Sequence, residues 1–284
     1  MGDAERTARR LWTLIEPVHA VTYFAPRARA AFEEAGLRGF WRGYFAGRAA
    51  PLGEVGPGPV TAAFFGFAPT MVARALPGVW AMATPERALE ARRTGARAAL
   101  EPLLSGYDRL VEEAAALLVP VVEELDCAGR VLAAANRALP VPEGAVDRLW
   151  HAATVLREHR GDGHVAALVA AGLDGCEALV LRAGIDLPRA ELQPHRGWSD
   201  DQWQAARDRL TARGWLGLDG TATPEGRQAH RAVEEATDRA AARPWQALAP
   251  ATADRLCRLL VPPARACATA LRFPNPMGLP APAE

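Results

Sequence analysis

A chain of 284 residues has room for about two domains of ordinary size. Half of it is apolar, 23% is charged and 7% is aromatic, a globular composition that excludes disorder throughout. The 33 basic residues, all arginine, balance 33 acidic ones, so net charge gives no basis for non-specific binding to a polyanion.

No apolar run approaches the ~20 residues that span a bilayer. The opening MGDAERTARRLW lacks the apolar stretch of a secretory signal. The expectation is a cytoplasmic protein with no membrane partner. Cys127, Cys176, Cys257 and Cys267 are far apart and form no CxxC pair. They read as reduced, inert core thiols.

In chain order the predicted elements are nearly all helical. Leu11, Trp12, Leu14 and Ile15, set among charges, predict a helix over 4–16. Pro26 suits a first helical turn and opens a helix over 26–36. A short aromatic helix follows over 38–49. PLGEVGPGP, residues 51–59, reads as loop. Helix resumes over 60–76 with a break at Pro69. Thr84-Pro85-Glu86 combines a capping side chain, a first-turn proline and an acid, and starts a helix reaching Leu104. Another helix runs from Tyr107 to Ala138, bent at Pro120.

The Pro-rich stretch Leu139–Gly144 disfavours helix on both sides. It divides the chain into an aromatic-rich helical domain, 1–140, and a second domain, 141–272, followed by a loose Pro-rich tail, 273–284. The second domain reads as helices near 145–159, 163–172, 174–184, 188–193 and 199–213, the last capped by Ser199. Asp219-Gly220 signals a hairpin between two short apolar runs. Pro224 opens a long helix to Ala242, and a final helix covers 251–260.

One stretch carries a family resemblance. A helix ends in Leu210-Thr211-Ala212-Arg213-Gly214-Trp215-Leu216, a hairpin follows, and Thr223-Pro224-Glu225-Gly226-Arg227 opens a long helix. Over roughly 145–245 this order resembles the winged helix-turn-helix of MarR-like regulators. The whole chain is also similar to a group of actinobacterial two-domain proteins labelled SalK-like. The resemblance implies a mainly α fold: a helical N-terminal domain plus a winged-helix C-terminal domain with one small β-hairpin. It also implies a ligand-responsive, dimeric transcription regulator whose helix 199–213 reads DNA.

Charge argues against that use. A reading helix enters the major groove at its N-terminal end, usually with Arg, Lys, Asn or Gln at the base edges. Here that end is Ser199-Asp200-Asp201-Gln202-Trp203-Gln204, and the wing, Leu218–Thr221, has no arginine. Residues 141–284 hold 17 Arg and 18 acids. Affinity for DNA comes largely from cations at phosphates, so DNA is the disfavoured partner.

The aromatic residues point elsewhere. Of 19, 11 fall between Tyr23 and Trp80. Among them Gly39, Gly43 and Gly47 recur every fourth residue on one helical face. Each costs up to ~1 kcal/mol against Ala, which close packing or a flat ligand would offset. Gly163, Ala167 and Ala171 form a second small-residue stripe. Tyr23, Phe24, Trp41, Tyr44, Phe64 and Phe67 are candidate walls of an apolar pocket. His19 is the polar residue of an apolar run, and Arg42 and Arg48 flank the glycine stripe, where they suit an acidic ligand. The knot Arg157-Glu158-His159-Arg160-Gly161-Asp162-Gly163-His164 adds His159, Asp162 and His164, with a flexible turn whose backbone N–H groups suit an anion.

No zinc motif is present, so no metal site is predicted. Haem or a metal held through His19 or His164 stays open, and no cofactor is named. GxSxG, a P-loop and GxGxxG are all absent. The first reading is a protein that binds an apolar or planar small molecule between its halves, a specialised-metabolism enzyme being one form of it. The alternative is the MarR-like regulator.

Overall fold

The computed structural model describes residues 2–275 and 277–279, so the end of the Pro-rich tail lies outside the described residues. Fourteen α-helices make up the described chain. The first half holds α1 (Asp3–Phe24), α2 (Pro26–Glu34), α3 (Phe40–Ala49), α4 (Pro57–Ala63), α5 (Pro69–Ala75), α6 (Pro85–Leu103), α7 (Asp108–Glu123) and α8 (Val131–Arg137). The second holds α9 (Ala145–Ala170), α10 (Gly175–Ala183), α11 (Arg189–Leu192), α12 (Asp200–Ala212), α13 (Pro224–Gln246) and α14 (Pro250–Ala268).

The start signals work as the chemistry requires. Thr84 Oγ1 accepts from the Arg87 N–H ahead of α6. Ser199 and Gln202 form a reciprocal capping box at α12, and Asp174 and Glu177 form one at α10. Interior prolines are another matter. α1 runs through Pro17, α7 through Pro120 and α14 through Pro262 and Pro263. A lone helix would lose about 3 kcal/mol at each. Here burial of Leu11, Ile15, Val18 and Val21 on α1 alone outweighs it.

Three cores organise the helices. The first joins α1, α6 and α7 to α9, α13 and α14, so Leu11, Leu100 and Leu118 share a core with Leu149, Trp150, Leu256 and Leu260. The second is aromatic and is built on Phe32, Phe45, Phe64, Phe67 and Trp80. In it the ring of Phe32, from α2, covers Gly43 and Gly47 of α3, while Gly39 (φ +87°) is the exposed residue that precedes the helix. A Cβ at Gly47 would stand 2.5 Å from Phe32 Cζ, and one at Gly43 would stand 3.0 Å from Phe32 Cβ. The bare face is therefore filled by an aromatic side chain, not by another backbone or a ligand. The third core packs α10 against α12 through Cys176, Val180, Leu181, Trp203, Ala206 and Leu210.

The knot at 157–164 is not a turn. α9 is one continuous helix of 26 residues that passes through Gly161 and Gly163, so its backbone N–H groups there are spent within the helix. Gly163 is explained by Arg130, which crosses it to donate to the carbonyls of His159 (2.5 Å) and Ala240 (2.6 Å). A Cβ at Gly163 would lie 2.6 Å from Arg130 Nη1.

The winged-helix domain with its β-hairpin is corrected by the structure. Mainly α holds, but no strand forms among the described residues, and the segment after α12 makes one isolated bridge, Leu216 to Ala222. The Asp219-Gly220 turn does close, with Gly217 N–H donating to Thr221 O at 2.9 Å. A ladder has no length to grow. Gly214 (φ +71°) has just ended α12 and Pro224, which has no N–H, at once begins α13. The Ala222 N–H goes instead to Gly184 O, and Leu218 is 90% exposed. No single helix among the described residues is long and apolar enough to cross a membrane.

Candidate functional site

A cavity of about 890 Å³ lies where the aromatic core, α9 and the α10–α12 module meet. Helical spacing sets most of its walls. On α1, Trp12, Glu16, His19 and Tyr23 recur at intervals of three or four and face it together. α3 contributes Trp41, Tyr44 and Arg48 in the same register. α9 contributes Arg157, Arg160, Gly161, His164 and Leu168. The 63–67 segment supplies Phe64, Phe65 and Phe67; α13 supplies His230 and Glu234; His195 and Arg196 come from the loop before α12.

Of the residues singled out from sequence, His19, Tyr23, Phe24, Trp41, Tyr44, Phe64, Phe67 and His164 all line this one cavity. The other three do not. Arg42 is exposed and bonds the Arg38 carbonyl at 3.2 Å. His159 is buried on the far side of α9, beside Trp245. Asp162 turns away to accept the N–H groups of Leu132 (3.0 Å) and Ala133 (2.9 Å), which tethers the start of α8 to α9. Sequence reasoning missed Trp12, Glu16, Arg157, Arg160, Arg196 and Glu234. The first two were legible from their register with His19 and Tyr23. Arg157 and Arg160 needed α9 to be one helix, and Arg196 sits on a loop with no periodic signal.

The aromatic wall is tightly knit. Tyr44 packs on Tyr23 (4.9 Å between centroids), Trp41 (5.7 Å) and Phe67 (5.6 Å). Guanidinium groups lie over its rings: Arg48 4.2 Å from Phe64 and Arg196 4.7 Å from Phe67.

Two buried ion networks brace the floor. Glu158 receives Arg48 Nε at 3.0 Å and Nη2 at 2.9 Å, and Arg157 Nη1 at 3.0 Å. Arg157 Nε also donates to Glu16 at 3.1 Å. Burial works to raise the pKa of Glu158, but the charges of Arg48 and Arg157 overcome it and hold the carboxyl well below the ordinary range. In the second network Arg9 and Arg160 share Asp238 and Glu234. There burial opposes, and His164, Arg160 and Arg9 together bring Glu234 down to about 2.

The two cavity histidines are neutral and hold opposite tautomers. Burial, reinforced by Arg157, drives His19 well below its ordinary pKa. Burial brings His164 to about 4 despite Glu234. His19 Nδ1 lies 3.0 Å from Thr154 Oγ1. Thr154 is buried and its hydroxyl has no other acceptor among the described residues, so it donates to Nδ1 and leaves the proton on Nε2. Thr237 instead spends its hydroxyl proton on the Val233 carbonyl at 2.8 Å. His164 Nδ1, 2.9 Å from Thr237 Oγ1, must therefore be the donor, which leaves Nε2 a lone pair. The cavity thus has one imidazole that donates at Nε2 and one that accepts there. Among the described residues no three His, Cys, Asp or Glu side chains converge as a metal site requires.

The exposed face of α12 is differently equipped. Asp200 and Asp201 begin it, and its arginines are engaged within the fold. Arg207 donates to the Leu218 carbonyl. Arg209 pairs with Asp174 and Glu177. Arg213, at the C-cap, donates to the Gly172 carbonyl at 2.8 Å and stacks on Trp215.

Neither the curated proteins nor the solved structures contain a match to this chain. A family described as helix-turn-helix matches residues 8–274, nearly the whole length, and the chain belongs to that helix-turn-helix family.

Proposed function

We propose that the protein binds a small, largely apolar molecule in the cavity and that DNA is not its primary partner. The observation that carries this reading is the cavity: about 890 Å³, walled by Trp41, Tyr44, Phe64 and Phe67, with a donating His19 and an accepting His164. That size lies in the range of small-molecule sites, and apolar walls with a few convergent polar groups are their usual chemistry.

The test uses N-phenyl-1-naphthylamine, a neutral dye that fluoresces in apolar surroundings. It should bind the wild-type protein with one site per chain. Ala178, which lines the cavity from α10, becomes an obstruction in Ala178→Trp, and that variant should lose the site while keeping its far-UV spectrum. Absence of saturable binding, or equal binding by A178W, overturns the reading.

Family membership favours a second reading, a MarR-like, ligand-responsive transcription regulator. The committed arginines and the two leading aspartates of α12 weigh against it. A mobility-shift assay on the DNA upstream of the gene, at low salt, separates the two. Specific retardation abolished by Gln204→Ala, which alters an exposed α12 side chain bonded only to Asp208, would establish the regulator.

A further inference from the structure

Four histidines line the cavity, His19, His164, His195 and His230, and hydrogen bonds fix the tautomers of the first two. For His164 two observations agree. Thr237 Oγ1 lies 2.9 Å from Nδ1 and has already given its own proton to the Val233 carbonyl. Glu234 Oε1 stands 3.9 Å from the same nitrogen, and its negative charge favours the ring proton on that side. Nδ1 therefore carries the proton and Nε2 the lone pair. Burial keeps the ring neutral, with its pKa at about 4, so the lone pair is present at pH 7. Among the described residues Nε2 bonds to nothing, yet it is not sealed in protein: the His164 side chain is 35% exposed and lines the cavity.

The polar groups around that lone pair mostly donate. Guanidinium groups can do nothing else, and Arg160 stands one turn before His164 on α9. Tyr44 Oη accepts from Arg48 Nη1 at 3.2 Å, which leaves its own proton to give. His19 donates at Nε2. The wall carboxylates are each engaged with a guanidinium, as Glu16 is with Arg157 and Glu234 with Arg9 and Arg160. A ligand that only accepts would leave His164 Nε2 enclosed without a partner, and a buried acceptor left unpaired is costly. One that only donates would leave the neighbouring donors unmet. A hydroxyl does both, giving one hydrogen bond and accepting up to two.

Resting on the ligand-binding reading above, we propose that the cavity selects an aromatic molecule with a neutral phenolic hydroxyl, and that His164 is the specificity-determining residue, its Nε2 accepting the hydroxyl proton in a hydrogen bond. The rings of Trp41, Tyr44, Phe64 and Phe67 take the apolar body. His164 acts as a fixed acceptor, and the proton stays on the ligand oxygen.

Equilibrium dialysis at pH 7 with 2-naphthol and 2-methoxynaphthalene tests this. The ether keeps the oxygen and the rings but has no proton to donate. His164→Leu removes the acceptor and should weaken 2-naphthol fivefold or more while leaving the ether no more than twofold weaker. His164→Gln can present an amide oxygen near the place of Nε2 and should hold 2-naphthol within threefold of wild type. Equal losses for both compounds in H164L, or no loss for 2-naphthol, overturn the proposal. Imidazole nitrogen-15 spectra of the histidine-labelled wild-type protein decide the matter if H164L does not fold. His164 should show a protonated Nδ1 and a bare Nε2 whose signal moves when 2-naphthol is added. The opposite tautomer, or an Nε2 signal that stays still at saturation, overturns the proposal too. If 2-naphthol does not bind while N-phenyl-1-naphthylamine does, the hydroxyl assignment fails and the cavity reading stands. If the naphthylamine fails as well, the cavity reading itself is lost.

Discussion

Glu158→Gln should be among the most damaging single substitutions in this protein. Glu158 is 1% exposed and accepts three charged hydrogen bonds, two from Arg48 and one from Arg157. Glutamine keeps the shape but removes the charge, and one of its two oxygens becomes a donor facing guanidinium donors. Arg157 keeps its pair with Glu16, but Arg48 loses the carboxylate that both of its charged bonds reach. Breaking a buried pair from one side costs about 3–5 kcal/mol, against a total stability of roughly 5–15 kcal/mol for a domain. Glu90→Gln is the control. Its pair with Arg93 is open to solvent, with side chains 57% and 37% exposed, and such a pair is worth about 0–1 kcal/mol. Urea unfolding followed by far-UV circular dichroism measures both. The E158Q/R48M double variant should be less destabilised than the sum of its parts, because Arg48 is then no longer left uncompensated. If E158Q falls within about 1 kcal/mol of E90Q, the buried network does not hold α3 to α9 as argued.

Two further outcomes follow from packing and from burial. Gly175→Ala places a Cβ against the backbone carbonyl of Phe65, with Phe65 C at 3.1 Å, so the 63–67 segment must move. Overpacking costs about 1–3 kcal/mol, which outweighs a helix-propensity gain of up to ~1 kcal/mol. The variant should melt lower and bind the neutral dye less tightly. Gly161→Ala, whose Cβ meets nothing nearer than 3.7 Å, should be neutral or stabilising; the reverse order of the two melting temperatures would contradict the packing described. The protein should also weaken in mild acid. His151 (6% exposed) and His159 (3% exposed) are both brought to about 4, by burial first and then by Arg92 and Arg130 respectively. Their native pKa lies below the unfolded value, so the unfolded chain binds more protons. Their contribution is complete above pH ~6.5 and is lost as pH falls towards 4. At pH 5.5 each takes away on the order of 1 kcal/mol. Asp162, raised to about 6 by burial, acts in the opposite sense and returns less than the two histidines together remove. A urea midpoint at pH 5.5 equal to or above that at pH 7.5 would refute this balance.

Much of the local structure was legible along the chain, because capping and first-turn preferences act between residues three or four apart. Thr84, Ser199 and Pro224 mark helix starts whatever the rest of the molecule does. The concentration of rings between Tyr23 and Trp80 pointed to the aromatic wall, His19 stood out as the polar residue of an apolar run, and His164 as a member of a charged knot. Interruptions were read less well. Pro17 and Gly161–Gly163 look like breaks in isolation, but each lies in a helix whose burial or long-range hydrogen bonds outweigh the local cost. The Asp219-Gly220 turn looks like a hairpin, yet its arms are too short for a ladder once Ala222 bonds Gly184.

What the sequence determined unaided is a mainly helical chain with its aromatic residues gathered in the first third and no surplus of positive charge for nucleic acid. Only the tertiary structure decided where each polar group would serve. Asp162 went to the start of α8, His159 to the far side of α9, Phe32 onto the glycines of α3, and Arg196 from an unmarked loop into the cavity. These choices depend on which surfaces meet across more than a hundred residues of chain, as Arg48 and Glu158 do, and no local pattern encodes that pairing.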